Sequence, residues 1–237
     1  MGKANPRGKI VRIRFMYDLP RVFRFKDFTG GFLETNCYAL ELPGGRVLID
    51  APEGSDDAFR DEPIALLLLT HGHFDHVADA AKIRRRHDCP VIAHPDTLPM
   101  VSDARFFRKF GFDIEIEPVE IDAFVSESET PPAGAEILAG VGIGTGGITM
   151  QILDVPGHCP GSLCFHFPAE QFLFGGDVLF RDGIGRWDLP GGSHDLLVSG
   201  IRSKILPLPA PTRVFPGHGP ETTVGRESAQ NPFLQIS

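Results

Sequence analysis

Ile64-Ala65-Leu66-Leu67-Leu68-Leu69 runs directly into Thr70-His71-Gly72-His73-Phe74-Asp75-His76. The apolar run has the length of a strand buried on both faces. It ends abruptly in three imidazoles and one carboxylate, and packing gives no reason to close a core strand with four metal-competent side chains. Imidazole suits zinc and iron, and a carboxylate beside it adds a hard anionic ligand. In a tight turn His71 and His73 can converge on one ion while Asp75 and His76 face another. That spacing predicts two adjacent cations with a bridging water.

The H-x-H-x-D-H stretch resembles the signature of the metallo-β-lactamase superfamily, and the rest of the chain agrees in order. Val155-Pro156-Gly157-His158-Cys159-Pro160-Gly161-Ser162 resembles the next ligand turn, Phe174-Gly175-Gly176-Asp177 the segment of the bridging aspartate, and Phe215-Pro216-Gly217-His218-Gly219-Pro220 the last ligand histidine. Gly185-Arg186-Trp187-Asp188-Leu189-Pro190-Gly191-Gly192 and the tail from Gly217 to Leu234 are similar to short bacterial glyoxalase II-like hydrolases.

The resemblance implies an α/β fold, a four-layer αββα sandwich. It implies a first ion held by His71, His73 and His158, and a second held by Asp75, His76 and His218. Asp177 would bridge the two, and Asp75 and Asp177 would be the catalytic carboxylates. One carboxylate shared by two divalent cations offsets part of their mutual repulsion. Asp50, at the end of a strand, is then placed to orient a ligand imidazole or to cap the strand. Arg186 and Asp188 are placed either to contact substrate or to fix their loop as an ion pair.

The implied reaction is hydrolysis of a small-molecule thioester by attack of a metal-bridging hydroxide on the carbonyl. Zinc is the expected metal, with iron or a mixed zinc and iron pair as the alternative. A thiolate leaving group, with a conjugate-acid pKa of about 8.5, departs without a strong general acid. Two other readings share these positions. One is a hydrolase of other esters or lactones. The other is a mononuclear Fe(II) persulfide dioxygenase using His71, His158 and Asp177. Only 19 residues follow His218, fewer than the helical glutathione-binding domain of full-length glyoxalase II enzymes. The expectation is therefore one metallo-β-lactamase-like domain over 1–237, with glutathione not a fixed part of the substrate.

Composition sets consistent bounds. A chain of 237 residues with 42% hydrophobic content can bury one large core. A net charge of −8 argues against a nucleic-acid partner, because phosphate binding needs clustered Lys and Arg. No N-terminal apolar stretch reads as a secretory signal or membrane span. Cys37, Cys89, Cys159 and Cys164 are too few and too scattered for a disulfide framework. These readings predict a cytoplasmic protein, and the oligomeric state stays open.

Thr35–Leu42 and Arg46–Asp50 read as strands joined by a hairpin at 43–45, and His76–His87 as a helix with a basic end. Pro90–His94, Ile148–Val155, Ser162–Phe167, Gln171–Phe174 and Thr212–Phe215 read as strands, and Asp195–Ile205 as a helix. Each candidate ligand falls just past a strand end. Phe106, Phe107, Phe110 and Phe112 read as a helix end packed on the sandwich, with a flap gripping an apolar part of the substrate as the alternative. Gly142-Ile143-Gly144-Thr145-Gly146-Gly147 mimics a dinucleotide fingerprint, but it precedes a strand instead of following one. His87, His94, His166 and His194 have no motif around them and read as structural.

Overall fold

A computed structural model describes residues 13–16, 24–127 and 148–235. The first half forms a seven-stranded sheet of β1 (Ile13–Met16), β2 (Arg24–Gly30), β3 (Thr35–Leu42), β4 (Gly45–Ile49), β5 (Leu66–Leu68), β6 (Val91–Ala93) and β7 (Ala123–Phe124), in that spatial order. β1 to β4 form an antiparallel meander. β4 to β7 are parallel, and their crossovers carry helices, as parallel strands require. These are α1 (Ser55–Ala58), α2 (Phe74–Val77), α3 (Ala80–His87) and α4 (Leu98–Ser102).

The second half supplies β8 (Gln151–Asp154), β9 (Leu163–Phe167), β10 (Phe172–Gly176), β11 (Leu179–Phe180), β12 (Gly183–Ile184), α5 (His194–Gly200), β13 (Arg213–Pro216), β14 (Thr222–Thr223) and α6 (Val224–Gln230). Five of these strands form a sheet in the order β14-β13-β10-β9-β8, while β11 and β12 pair as a separate hairpin.

Alternation along the strands explains the layers. In a strand, successive side chains point to opposite faces. Leu66 and Leu68 of β5, Tyr38 and Leu40 of β3, and Phe172 and Phe174 of β10 meet in a core between the two sheets. Leu67 and Leu69 pack with Val77, Ile83 and Val101 under the first set of helices. Leu173 packs with Leu197, Ile201 and Val224 under the second set. Helix, sheet, sheet and helix therefore stack in four layers, and the continuous apolar runs are strands covered on both faces. Rings cluster in the centre: Phe25 meets Phe215 edge-on at 4.9 Å, and Phe174 stacks on Phe215 at 5.1 Å.

Three of the differences from the sequence reading have a physical reason in the structure. β2 went unread because its apolar residues, Phe25 and Phe28, are three apart and so lack alternation. In the strand they face opposite sides, Phe25 toward the intersheet core and Phe28 toward the helices. The helix expected over His76–His87 is broken at Ala78-Asp79. There the His76 carbonyl accepts from Ala51 N–H at 2.7 Å and Asp79 N–H donates to the Ala51 carbonyl at 2.9 Å, so the end of β4 takes the groups a continuous helix would use. The helix over Asp195–Ile205 becomes α5 followed by a wider turn at Ile201–Ile205, closed by Leu206 N–H on the Ile201 carbonyl at 2.9 Å. The Gly142–Gly147 stretch lies outside the described residues. Among the described residues no helix is long and apolar enough to cross a membrane.

Candidate metal centre

The two sheets converge at one edge, where the strand ends release the candidate ligands. His71, His73, Asp75 and His76 follow β5, His158 lies between β8 and β9, Asp177 follows β10 and His218 follows β13. Main-chain bonds lock this edge. Leu163 N–H donates to the Thr70 carbonyl at 2.8 Å, Gly217 N–H to the Gly176 carbonyl at 2.8 Å, and Asn36 N–H to the Gly217 carbonyl at 2.7 Å. Gly217 is required sterically: a Cβ there would lie 2.1 Å from Asp177 Oδ1 and 2.6 Å from the His76 ring.

The structure brings all seven residues together in three overlapping groups: His71, His73 and His158; His71, His76 and Asp177; Asp75, His76 and His218. In the first group His71 Nε2 is 3.1 Å from His73 Nδ1 and 3.3 Å from His158 Nε2, and His158 Nε2 is 2.9 Å from His73 Nδ1. Nitrogens bound tetrahedrally to one zinc at 2.0–2.1 Å stand about 3.3 Å apart, so this triangle suits a single ion. Burial, before any charge effect, keeps these imidazoles in the neutral, ligating form. It pushes His71 well below its ordinary value, His73 down to about 3, and His158 down as well.

In the group of Asp75, His76 and His218, His218 Nε2 is 3.2 Å from Asp75 Oδ2, and His76 Nε2 is 3.5 Å from the same oxygen. Asp177 faces both groups. Its Oδ1 is 3.3 Å from His76 Nε2, and its Oδ2 is 3.4 Å from His218 Nε2 and 3.5 Å from His158 Nε2. Burial opposes charge on His218, yet Asp177 and Asp75 hold it up to about 10. Burial works against ionising Asp75 as well, but His76 and His218 bring it down to about 2. His76 Nε2 and Asp177 Oδ1 are buried without a well-formed hydrogen bond. Such orphaned polar atoms cost about 1–3 kcal/mol each, and a cation among them would remove that cost. The donor set therefore fits divalent metal.

Neighbours fix which ring nitrogen is free. Asp50, at φ 61° just after β4, accepts from Thr70 N–H at 2.8 Å and Thr70 Oγ1–H at 2.7 Å, and Asp50 Oδ2 lies 2.8 Å from His76 Nδ1. It orients an imidazole and ties off its strand at once. Because the Thr70 hydroxyl donates to Asp50, it accepts from His71 Nδ1 at 3.0 Å. His158 Nδ1 donates to the Arg186 carbonyl at 2.8 Å, and His218 Nδ1 to the Leu33 carbonyl at 3.1 Å. Each bond turns the other nitrogen inward.

Sequence reasoning missed Thr35, whose hydroxyl donates to Asp75 Oδ2 at 2.6 Å. Its only sequence signal is its position at the start of a strand. The Arg186 and Asp188 side chains pair with each other through two bonds of 2.8 and 2.9 Å on the exposed loop. Cys159 turns away from the ligands to Met100, 3.5 Å from its sulfur, and burial pushes its thiol up to about 12. His166 pairs with Gln151 at 2.9 Å and His94 accepts from Asp96 N–H at 3.1 Å, in keeping with structural roles.

A two-sheet sandwich with histidine and aspartate clusters at one edge defines a metal-binding α/β protein. Comparisons make this specific. The family model for the metallo-beta-lactamase superfamily matches residues 30–218. The chain is 37% identical over 176 residues to the hydroxyacylglutathione hydrolase GloC of Haemophilus influenzae, covering 73% of this chain and 77% of that protein. Among solved structures it resembles the BLEG-1 B3 metallo-beta-lactamase, with TM-score 0.76, 35% identity, and coverage of 90% of this chain and 100% of that one. It also resembles TTHA1623 in a di-iron-bound form, with TM-score 0.72, 36% identity, and coverage of 87% and 98%. The chain belongs to the metallo-beta-lactamase superfamily.

Proposed function

We propose that this chain is a dinuclear metal-dependent hydrolase acting on thioesters. The observation that carries the reading is Asp177, which faces His158 of one ligand group and His76 and His218 of the other, between the two. His71, His73 and His158 would hold one ion and Asp75, His76 and His218 the other, with Asp177 between them. A pair of divalent ions held by these residues would supply a water of lowered pKa and a Lewis acid for a carbonyl.

The chain's own residues do the rest. Asp50, Thr70, Arg186 and Leu33 fix the imidazole tautomers, Thr35 holds Asp75, and burial keeps His71, His73 and His158 unprotonated. The two carboxylates among the seven residues, Asp75 and Asp177, are both held well into the ionised range, so neither is a proton donor. A thiolate with a conjugate-acid pKa of about 8.5 departs without one, and an amine does not. That chemistry favours thioesters over amides, and the likeness to GloC supports the same substrate class. Zinc is the expected metal, and the di-iron form of TTHA1623 makes iron the alternative.

His218→Ala tests the reading. It is far in sequence from the first group and meets Asp75 and Asp177 only through Nε2. It should lower metal content from about two toward one per chain and cut thioester hydrolysis by about a hundredfold or more. A variant that keeps one iron and persulfide-dependent oxygen uptake would contradict the proposal in favour of the dioxygenase.

A further inference from the structure

One face of α5 and the wider turn after it carries Asp195, Val198, Ser199 and Arg202, the i, i+3, i+4 and i+7 positions of a helix. All four line an open groove of about 790 Å³ whose other wall is the tail at Pro232 and Phe233. Trp187 ties the two walls together, with its ring 4.6 Å from that of His194 in α5 and 6.0 Å from that of Phe233. Large apolar groups stand at the groove: Leu196 is 56% exposed and Phe233 41%. A lone exposed leucine needs no reason, but one set beside a preformed groove with an aromatic wall marks a surface that is covered.

Two charges in this groove lack a strong partner among the described residues. Asp195 is fully exposed and reaches only the neighbouring His194 ring, at 3.4 Å. Arg202 donates only to the main-chain carbonyls of Leu234 and Gln235, at 3.4 and 3.3 Å. The two stand about 10 Å apart along the helix, too far to pair with each other. Nearby cations are already matched: Lys204 pairs with Glu127, Arg226 with Asp182 and Arg186 with Asp188. An anionic ligand drawn to Arg202 would meet Asp195, and a cationic one drawn to Asp195 would meet Arg202. The groove therefore suits a partner that presents the same two charges in the opposite order. A second α5 lying antiparallel does this, and Val198 and Ser199 at the midpoint are small enough to let the two helices approach.

We propose that this face of α5 is an interface between two copies of the chain, related by a two-fold axis that passes between Val198 and Ser199. Asp195 of each copy meets Arg202 of the other, and Leu196 of each seats in the groove of the other against Phe233. The inference goes beyond the hydrolase reading and does not depend on it, since none of these residues belongs to the metal centre.

Sedimentation equilibrium of the full chain tests it. The wild type should be mostly dimeric at about 100 μM, and added salt should weaken the dimer by screening the two charge pairs. Asp195→Arg and Arg202→Glu each set like charges against one another at both contacts, so each alone should weaken association about tenfold or more. Mixed in equal amounts, the two variants regain opposite charges at both contacts. A heterodimer should then form with an affinity within about threefold of the wild type, and its formation shows that both variants fold. Leu196→Ser, at an exposed side chain, should also weaken the dimer about tenfold. A wild type that is monomeric at this concentration would leave the groove to a small ligand or a different protein and overturn the proposal. A dimer that any one of the three folded variants leaves at wild-type affinity would overturn it as well. So would a mixture that fails to associate although circular dichroism shows both variants folded. If Arg202→Glu does not fold, Asp195→Arg and Leu196→Ser decide the matter, because a dimer in this place cannot tolerate either.

Discussion

Thr35 shows how much a single hydroxyl can do at this centre. It begins β3, is fully buried, and donates to Asp75 at 2.6 Å, on the oxygen that also faces His218. Thr35→Val keeps the shape and removes only the hydroxyl. The expected result is a tenfold to hundredfold loss of affinity for the second ion, read by competition with a chelator, with the first ion unaffected. Equal loss at both positions would assign Thr35 to the fold instead. At this scale the seven residues that the structure brings together were legible, because imidazoles and carboxylates just past strand ends have no packing rationale. The groups that set their tautomers were less so. The carbonyls of Leu33 and Arg186 are main-chain atoms, and any residue type supplies one. Asp50 left two readings open, and the structure satisfies both with two oxygens of one side chain.

The elements were legible where apolar runs were continuous and illegible where a strand or helix served two neighbours. β5 was clear because both of its faces are buried. β2 was hidden because its two phenylalanines point to different layers, and the break before α3 because Ala51 takes the hydrogen bonds of the expected helix. α3 then depends on contacts made beyond itself. Arg86 makes two bonds of 2.6 Å to Asp56 in α1, which lower the Asp56 carboxyl from its ordinary value. A depressed carboxyl stabilises the fold above its unfolded pKa of about 3.9, and the contribution is lost as pH falls through the lower folded value. Arg86→Ala should therefore lower stability slightly near neutral pH, since solvent screens an exposed guanidinium. The urea stabilities of the two proteins should begin to converge as pH falls below about 3.9. A difference that persists unchanged at pH 3 would point to lost packing by the arginine stem.

At the scale of the whole molecule, two apolar sheets hold a polar edge in register. The intersheet core is aromatic: Phe174 is fully buried and contacts Phe25, Tyr38, Phe167 and Phe215. Phe174→Ala should cost about 3–5 kcal/mol of stability, measured by denaturant midpoint. Because β10 leads directly to Asp177, metal affinity should fall with it. Unchanged stability would mean that this core is not what holds the sheets together. The central claim is that two ions work as a pair on a thioester. It is tested most directly by stripping the protein of metal, returning zinc in measured steps, and following bound metal and S-lactoylglutathione hydrolysis together. The account predicts that hydrolysis stays low at one ion per chain and reaches its plateau at two. Full activity at one ion per chain, or a single iron that supports oxygen uptake with glutathione persulfide and no thioester hydrolysis, would contradict it.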